Sequence, residues 1–204
     1  MAITIGIIIA YLLGSLSTAI LVSKLLRLPD PRTTGSKNPG ATNVLRSGGK
    51  KAAIITLIGD VGKGWLPVFV TLQLELFPGW AIGLIGLAAF LGHVFPVYYR
   101  LQGGKGVATA LGVILAISPA AGGLVLLTWL VVAAIWRYSS LAALVAAGMA
   151  PVYTILLGMD HWISAAVALM SVILFIRHDS NIRRLMRGEE SRIGQKNKAP
   201  APGD

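Results

Sequence analysis

The sequence predicts an all-α, polytopic membrane protein: a seven-helix transmembrane bundle with its N-terminus outside and its C-terminus in the cytoplasm. Three observations lead there. The 204-residue chain has a mean hydropathy of +0.74 and only 13% charged residues, about half the share of a soluble domain. Its apolar residues run in stretches of about 20, the length a helix needs to cross a hydrocarbon core. Its basic residues, which give a net charge of +10, interrupt those stretches. A membrane, rather than a nucleic acid, accounts for that pattern.

The first element, residues 3–22, lacks a basic segment ahead of its apolar run and is long for a cleaved signal, so it reads as a retained helix. Residues 52–76 and 80–99 supply the second and third spans. Residues 107–136 carry no charge and read either as one long tilted span or as a hairpin of two short ones around "SPAAGG", residues 118–123. Residues 141–157 and 162–176 complete the set.

The charge distribution chooses the hairpin. With seven spans, one side of the membrane receives seventeen of the eighteen Lys and Arg residues, and the eighteenth, Lys63, lies inside the second span. The opposite side carries Glu75 and Asp160 and no basic residue. With six spans the basic C-terminus would face outward, against the positive-inside rule. Each half of the hairpin is then ~22 Å long at 1.5 Å per residue, short but tolerable beside protein neighbours.

Gly, Ala, Ser and Thr recur within the spans, where small residues let helices approach closely. Residues 1–187 read as one integral membrane domain, and residues 188–204 as a polar cytoplasmic tail expected to be disordered. Cysteine is absent, which excludes disulfides, thiolate metal sites and cysteine nucleophiles.

Three polar segments fall on the basic side. The first, residues 30–51, contains "GSKNPGATN", with Ser36, Asn38 and Asn43 as neutral donors and Arg46 as a planar fork suited to phosphate. The second, "YYRLQGGKGVATALG", runs a glycine-rich turn with Lys105 directly into a helix, whose free N–H groups attract anions. The Walker A spacing is missing. The third, "IRHDSNIRRL", places His178 and Asn181 three apart among arginines, on one face if the helix continues. Each alone is compatible with an ordinary basic loop. Asp60 and Lys63, also three apart, read as a structural pair that positions the neighbouring loop, and His93 as a hydrogen-bonded core residue.

Taken together, "GSKNPGATNVLR", "LGHVFPVYY" with "GGKGVATALG", and "RHDSNI" resemble the three motifs of the bacterial membrane glycerol-3-phosphate acyltransferases of the acyl-phosphate-dependent type. The match runs from "YLLGS" at Tyr11 to about Leu185, with "GDVGKGWLP" and "RYSSLAAL" also fitting. The resemblance implies transfer of a fatty acyl group from acyl phosphate to the 1-hydroxyl of sn-glycerol 3-phosphate at the cytoplasmic face of the inner membrane, giving lysophosphatidic acid. An acyl carrier protein or coenzyme A thioester is the alternative donor. Position by position it implies Ser36, His178 and Asn181 as catalytic, with Asn38, Asn43, Arg46, Gly103, Gly104, Lys105 and Gly106 around the substrates. Two positions depart from the family pattern. Lys37 stands where glycine is usual, and Leu101–Gln102 where an aromatic and a lysine are common, which puts the donor in question.

No H-E-x-x-H motif or acidic cluster suggests a metal, and no cofactor is expected, because an acyl phosphate is already activated. The expected partners are glycerol 3-phosphate, the acyl donor and membrane lipids, with no nucleic acid, and the expected state is a monomer. Either His178 or the donor's own phosphate takes the proton; the resemblance favours the phosphate, with direct transfer and no acyl-Ser36 intermediate. The competing function is a transporter of an organic phosphate or phospholipid. Its binding groups should sit near the midplane within internal repeats, whereas these motifs lie in loops on one side.

Overall fold

A computed structural model of the chain describes residues 1–75 and 77–195. Within them every regular element is helical: α1 (Ala2–Gly14), α2 (Thr18–Leu25), α3 (Ala41–Gln73), α4 (Gly79–Val94), α5 (Val107–Ile117), α6 (Pro119–Trp136), α7 (Ser139–Leu156), α8 (His161–Arg177) and α9 (Asp179–Met186), with a short 3-10 turn at Val97–Tyr99.

By length and apolarity four helices can cross a membrane, and six if two bent pairs each count as one span: α1 with α2, bent by 43°, and α8 with α9, bent by 59°. The uncharged stretch 107–136 divides at Ser118, whose hydroxyl accepts the N–H of Ala121, with Pro119 opening α6. A serine cap followed by proline at the first helical position ends one helix and starts the next. The division is unequal. Instead of two halves of ~22 Å, α5 has 11 residues and α6 has 18, so α5 is only ~16 Å long, well short of a hydrocarbon core of about 30 Å.

Helix α4 is the most enclosed candidate span. Glycines set how closely its neighbours approach. A Cβ on Gly14 would meet the carbonyl of Ala89, and one on Gly92 the carbonyl of Tyr11, so α1 lies backbone-to-backbone on α4. Gly64 against Thr109 and Gly112 against Val61 do the same for α3 and α5. With no hydrophobic drive between helices in lipid, this close van der Waals fit holds them.

The first polar segment is not loop throughout. Helix α3 begins at Ala41, and Gly49 (φ 79°) kinks it before the apolar run. Asn43 and Arg46 therefore sit on a short helical piece preceding the membrane-crossing part. The tail also departs from expectation: residues 189–195 turn back onto the bundle. Ile193 packs beside Val132 and Ala142, its N–H donates to the carbonyl of Arg137 at 2.6 Å, and the Arg192 guanidinium lies 5.4 Å from the Tyr138 ring. Residues 196–204 lie outside the described residues.

Candidate active site

The three polar segments converge at one end of the bundle, around a cavity of about 1010 Å³. Ser36, Asn38, Arg46, Lys105, His178 and Asn181 line its polar part, and Leu111, Leu115, Trp129, Leu130 and Met170 its apolar part.

Asn43 organises the first segment. It is 2% exposed; its amide donates to the carbonyls of Pro31 (2.8 Å) and Thr34 (3.0 Å) and accepts the N–H of Ser36 at 3.0 Å. Both amide hydrogens are engaged within the chain, so Asn43 clamps the loop and positions Ser36. Upstream, Arg32 grips Asp30, and that guanidinium holds the Asp30 carboxyl below its ordinary range. The hydroxyl of Ser36 makes no hydrogen bond among the described residues, and Arg46 is exposed. Both are free to meet a ligand.

Lys37 has φ 57°, the left-handed region that costs an L-residue about 1 kcal/mol and that glycine enters freely. A glycine at this position would adopt that backbone without strain. Lys37 and Gln102 are both exposed and lie outside the cavity lining, so their positions lend no weight to a change of donor.

The glycine-rich turn differs from an open anion cradle. The Gly104 N–H donates to the carbonyl of His93 at 3.2 Å. A Cβ on Gly103 would strike that same carbonyl, and one on Gly106 (φ 85°) the Phe90 ring. These glycines let the turn lie flat on the end of α4, and Gly103 and Gly104 do not reach the cavity lining. Lys105 and Gly106 do, as do Val107 and Ala108 at the start of α5, where N–H groups have no acceptor within their helix.

The third motif sits where α8 bends into α9. His178 is 3% exposed, and its Nδ1 lies 2.8 Å from the carbonyl of Leu174; a carbonyl accepts only, so Nδ1 carries the proton. Burial, then the Lys105 charge, lower its pKa from 6.5 to about 4, so the ring is neutral at physiological pH. Asn181 accepts from the Lys105 ammonium and donates to Glu190 Oε1 at 2.7 Å. Burial lowers Lys105 from 10.5 to about 8; Glu190 opposes the shift, while Arg184, Arg177 and Arg46 add to it.

Glu190 is the site residue that the sequence reading missed. Its carboxylate accepts from Ser140 (2.7 Å), Asn181 (2.7 Å) and Arg184 (2.7 Å). Burial pushes its pKa up, yet these hydrogen bonds outweigh burial and hold it below the ordinary value. The available signal was an acid pair beside the most basic segment of the chain. Ser139, bonded to Thr42 at 3.3 Å, likewise escaped notice inside "RYSSLAAL". Asp60 and His93, expected to be purely structural, also border the cavity.

A family model described as "Glycerol-3-phosphate acyltransferase" matches residues 4–188. Among curated relatives, the glycerol-3-phosphate acyltransferase of Thioalkalivibrio sulfidiphilus is 61% identical over 189 residues, 93% of each chain. That of Burkholderia multivorans is 56% identical over 206 residues, covering all of this chain and 97% of its own. Two crystal structures of PlsY (YgiH), an integral membrane glycerol 3-phosphate acyltransferase, superpose closely. The glycerol 3-phosphate form has a TM-score of 0.91 at 36% identity, and the lysophosphatidic acid form 0.88 at 35%; each covers 95% of this chain and 96% of that one.

Proposed function

Since the chain belongs to the glycerol-3-phosphate acyltransferase family, an enzyme family with an integral membrane fold, we propose that it transfers a fatty acyl group from acyl phosphate to the 1-hydroxyl of sn-glycerol 3-phosphate. The product is lysophosphatidic acid. The observation that carries this reading is that one cavity brings Arg46, Lys105, Ser36 and Asn38 together with a long apolar wall. Such a lining suits a substrate pair of two phosphates and one long chain.

The headgroups belong at Arg46, Lys105 and the start of α5, where a fork, a point charge and free helix N–H groups bring positive charge together. Asn181 holds the Lys105 ammonium, Glu190 holds Asn181, and Arg177 ties α8 to the glycine turn by donating to the carbonyl of Gly103 at 3.1 Å. The acyl chain belongs along Leu111, Trp129 and Met170. Leu57 and Ile58 of α3 and Leu126 and Leu130 of α6 line the same cavity and are exposed, which supports lateral entry from the bilayer.

In the reaction the 1-hydroxyl oxygen attacks the acyl carbonyl, the carbonyl–phosphate bond breaks, and the hydroxyl proton leaves with the phosphate. His178, with its Nδ1 proton committed to Leu174 and a pKa of about 4, is a weak base, which favours the phosphate as proton acceptor. With Asn181 engaged on both sides, Asn38 is the amide better placed to donate to the developing oxyanion, a contribution of about 3 kcal/mol for one good donor. Ser36 orients the acceptor without becoming acylated. Seven spans in the cytoplasmic membrane, N-terminus outside, agree with the charge count if the short α5 relies on bilayer thinning and its packed neighbours; the acyltransferase domain, residues 1–187 with the Glu190 segment docked on it, acts as a monomer.

Purified protein in lipid, given labelled glycerol 3-phosphate with palmitoyl phosphate, palmitoyl carrier protein or palmitoyl coenzyme A in turn, tests the donor. Lysophosphatidate from the acyl phosphate alone is expected, and product only from a thioester refutes that choice. A hydroxylamine-sensitive acyl label on Ser36 would refute direct transfer.

A further inference from the structure

Two buried polar side chains on the cavity wall have no part in the chemistry above. Asp60 on α3 and His93 near the end of α4 are 2% and 7% exposed, and both line the cavity. Ionisable groups at membrane depth are costly unless something answers them. Lys63, one turn along α3, answers part. Its Nζ lies 2.9 Å from Asp60 Oδ1 and donates to the carbonyl of Leu16 at 2.7 Å, where α1 gives way to α2. Asp60 Oδ2 has no hydrogen bond among the described residues. His93 Nδ1 stands 3.6 Å from Asp60 Oδ1, outside hydrogen-bond reach, and is buried without a partner.

The position is as informative as the vacancies. The carbonyl of His93 accepts the Gly104 N–H at 3.2 Å, and a Cβ on Gly104 would collide with His93 Nε2. Lys105, the proposed phosphate cation, is the next residue. Lys105, His93 and Asp60 line the same cavity, so a small phosphate ester held at Lys105 shares that cavity with both acceptors.

The chemistry of the two groups selects what reaches them. With a carboxylate facing Nδ1, the imidazole proton belongs on Nδ1, and Nε2 presents a lone pair. Asp60 Oδ2 and His93 Nε2 are then acceptors only. A second anion is repelled, and an alkyl chain leaves both unsatisfied, at the usual cost of a buried polar group. An uncharged O–H has one hydrogen to donate, which either acceptor can take. A carboxylate already paired with an ammonium holds such a hydrogen in place without removing it.

From this geometry we infer that Asp60 and His93 form a hydroxyl-accepting subsite that takes the acceptor's second, unreacting hydroxyl. The inference rests on the proposed reading of the acceptor as a glycerol phosphate. By anchoring one hydroxyl, the subsite leaves the terminal one to face the acyl carbonyl.

The test is a competition in one tube between glycerol 3-phosphate and 3-hydroxypropyl phosphate, which keeps the phosphate and terminal hydroxyl but lacks the second hydroxyl. The full-length protein in lipid is used, with a single acyl donor. The wild-type chain is expected to favour glycerol 3-phosphate by about 10- to 100-fold in kcat/KM, the penalty for leaving polar groups unpaired. In Asp60→Asn and in His93→Gln that ratio should fall to within a few-fold of one. Because both acceptors compete for the same folded molecules, the ratio is insensitive to partial unfolding of a variant. A wild-type ratio near one, or an undiminished ratio in both variants, overturns the inference. Absence of product from glycerol 3-phosphate with every donor overturns the reading of the acceptor instead.

Discussion

Replacing Asn43 with alanine tests whether that residue acts through the loop it clamps or by touching substrate. The substitution removes three hydrogen bonds, to Pro31, Thr34 and Ser36. At about 1 kcal/mol net for each bond, the closed loop loses about 3 kcal/mol, roughly a 150-fold shift toward open forms. The remaining ties are local: the Arg32–Asp30 pair, the Thr33 and Thr34 hydroxyls donating to the carbonyl of Asp30, and the Lys37 N–H donating to Thr34 at 3.0 Å. The bundle itself does not depend on the loop, so Tm should fall by only a few degrees. Activity should fall about 10- to 100-fold in kcat/KM, since Ser36 and Asn38 lose their fixed positions. The assay that separates the two roles is amide hydrogen exchange without substrate. A clamp predicts that the protected N–H groups of Ser36 and Lys37 exchange much faster in the variant. Exchange unchanged across residues 31–37 while activity collapses would refute the clamp and make Asn43 a direct ligand. Unchanged activity would refute any role at all.

Four further outcomes follow from the same geometry. Lys105, with a pKa of about 8, is cationic below that pH and neutral above it, so kcat/KM for glycerol 3-phosphate should decline as pH rises through 8; Lys105→Arg should abolish that limb, and a limb that persists has another source. Glu190→Gln removes the charge that raises the Lys105 pKa, so the same limb should move to lower pH, and a profile left in place would show that Glu190 acts only sterically. His178 titrates at about 4 when folded against 6.5 when unfolded. The unfolded chain therefore binds the proton first, and stability present above pH 6.5 drains away as pH falls toward 4. At 1.36 kcal/mol per pH unit that gap is worth about 3 kcal/mol; Tm in detergent should track it, and His178→Asn should flatten the dependence. Gly106→Ala forces an L-residue to φ 85° and a methyl into the Phe90 ring, so roughly 2–4 kcal/mol of stability should be lost; an unshifted Tm would show that the turn has room.

Particular residues show how far the sequence could be read. Hydropathy and charge identified the membrane class, the apolar helical stretches and the break at "SPAAGG", because a bilayer acts on each segment separately and leaves its mark locally; the bend between α1 and α2 inside residues 3–22 left no such mark. The length of α5 was not legible: Ser118 and Pro119 fix the division, but nothing in an uncharged run says where the cap falls until the chain bends. The family resemblance picked out Ser36, Arg46, Lys105, His178 and Asn181, and all five line the one cavity. What each does was not legible. Asn43 looked like a ligand and is engaged by backbone; Gly103 and Gly104 looked like a cradle and are spacers against α4.

What the sequence determined by itself is the solvent for each stretch of chain, since apolar run length and the placement of Lys and Arg respond to the membrane one segment at a time. What only the tertiary structure decided is which polar atoms meet. Glu190 and Asn181 lie nine residues apart, Lys105 and Asn181 seventy-six, and Lys63 reaches the carbonyl of Leu16 across forty-seven. Such pairings come from helix packing set by small residues and from a tail folded back on the bundle, so no local pattern announces them. A hydrogen bond is decided within a few tenths of an ångström, and only the packed chain fixes positions that finely.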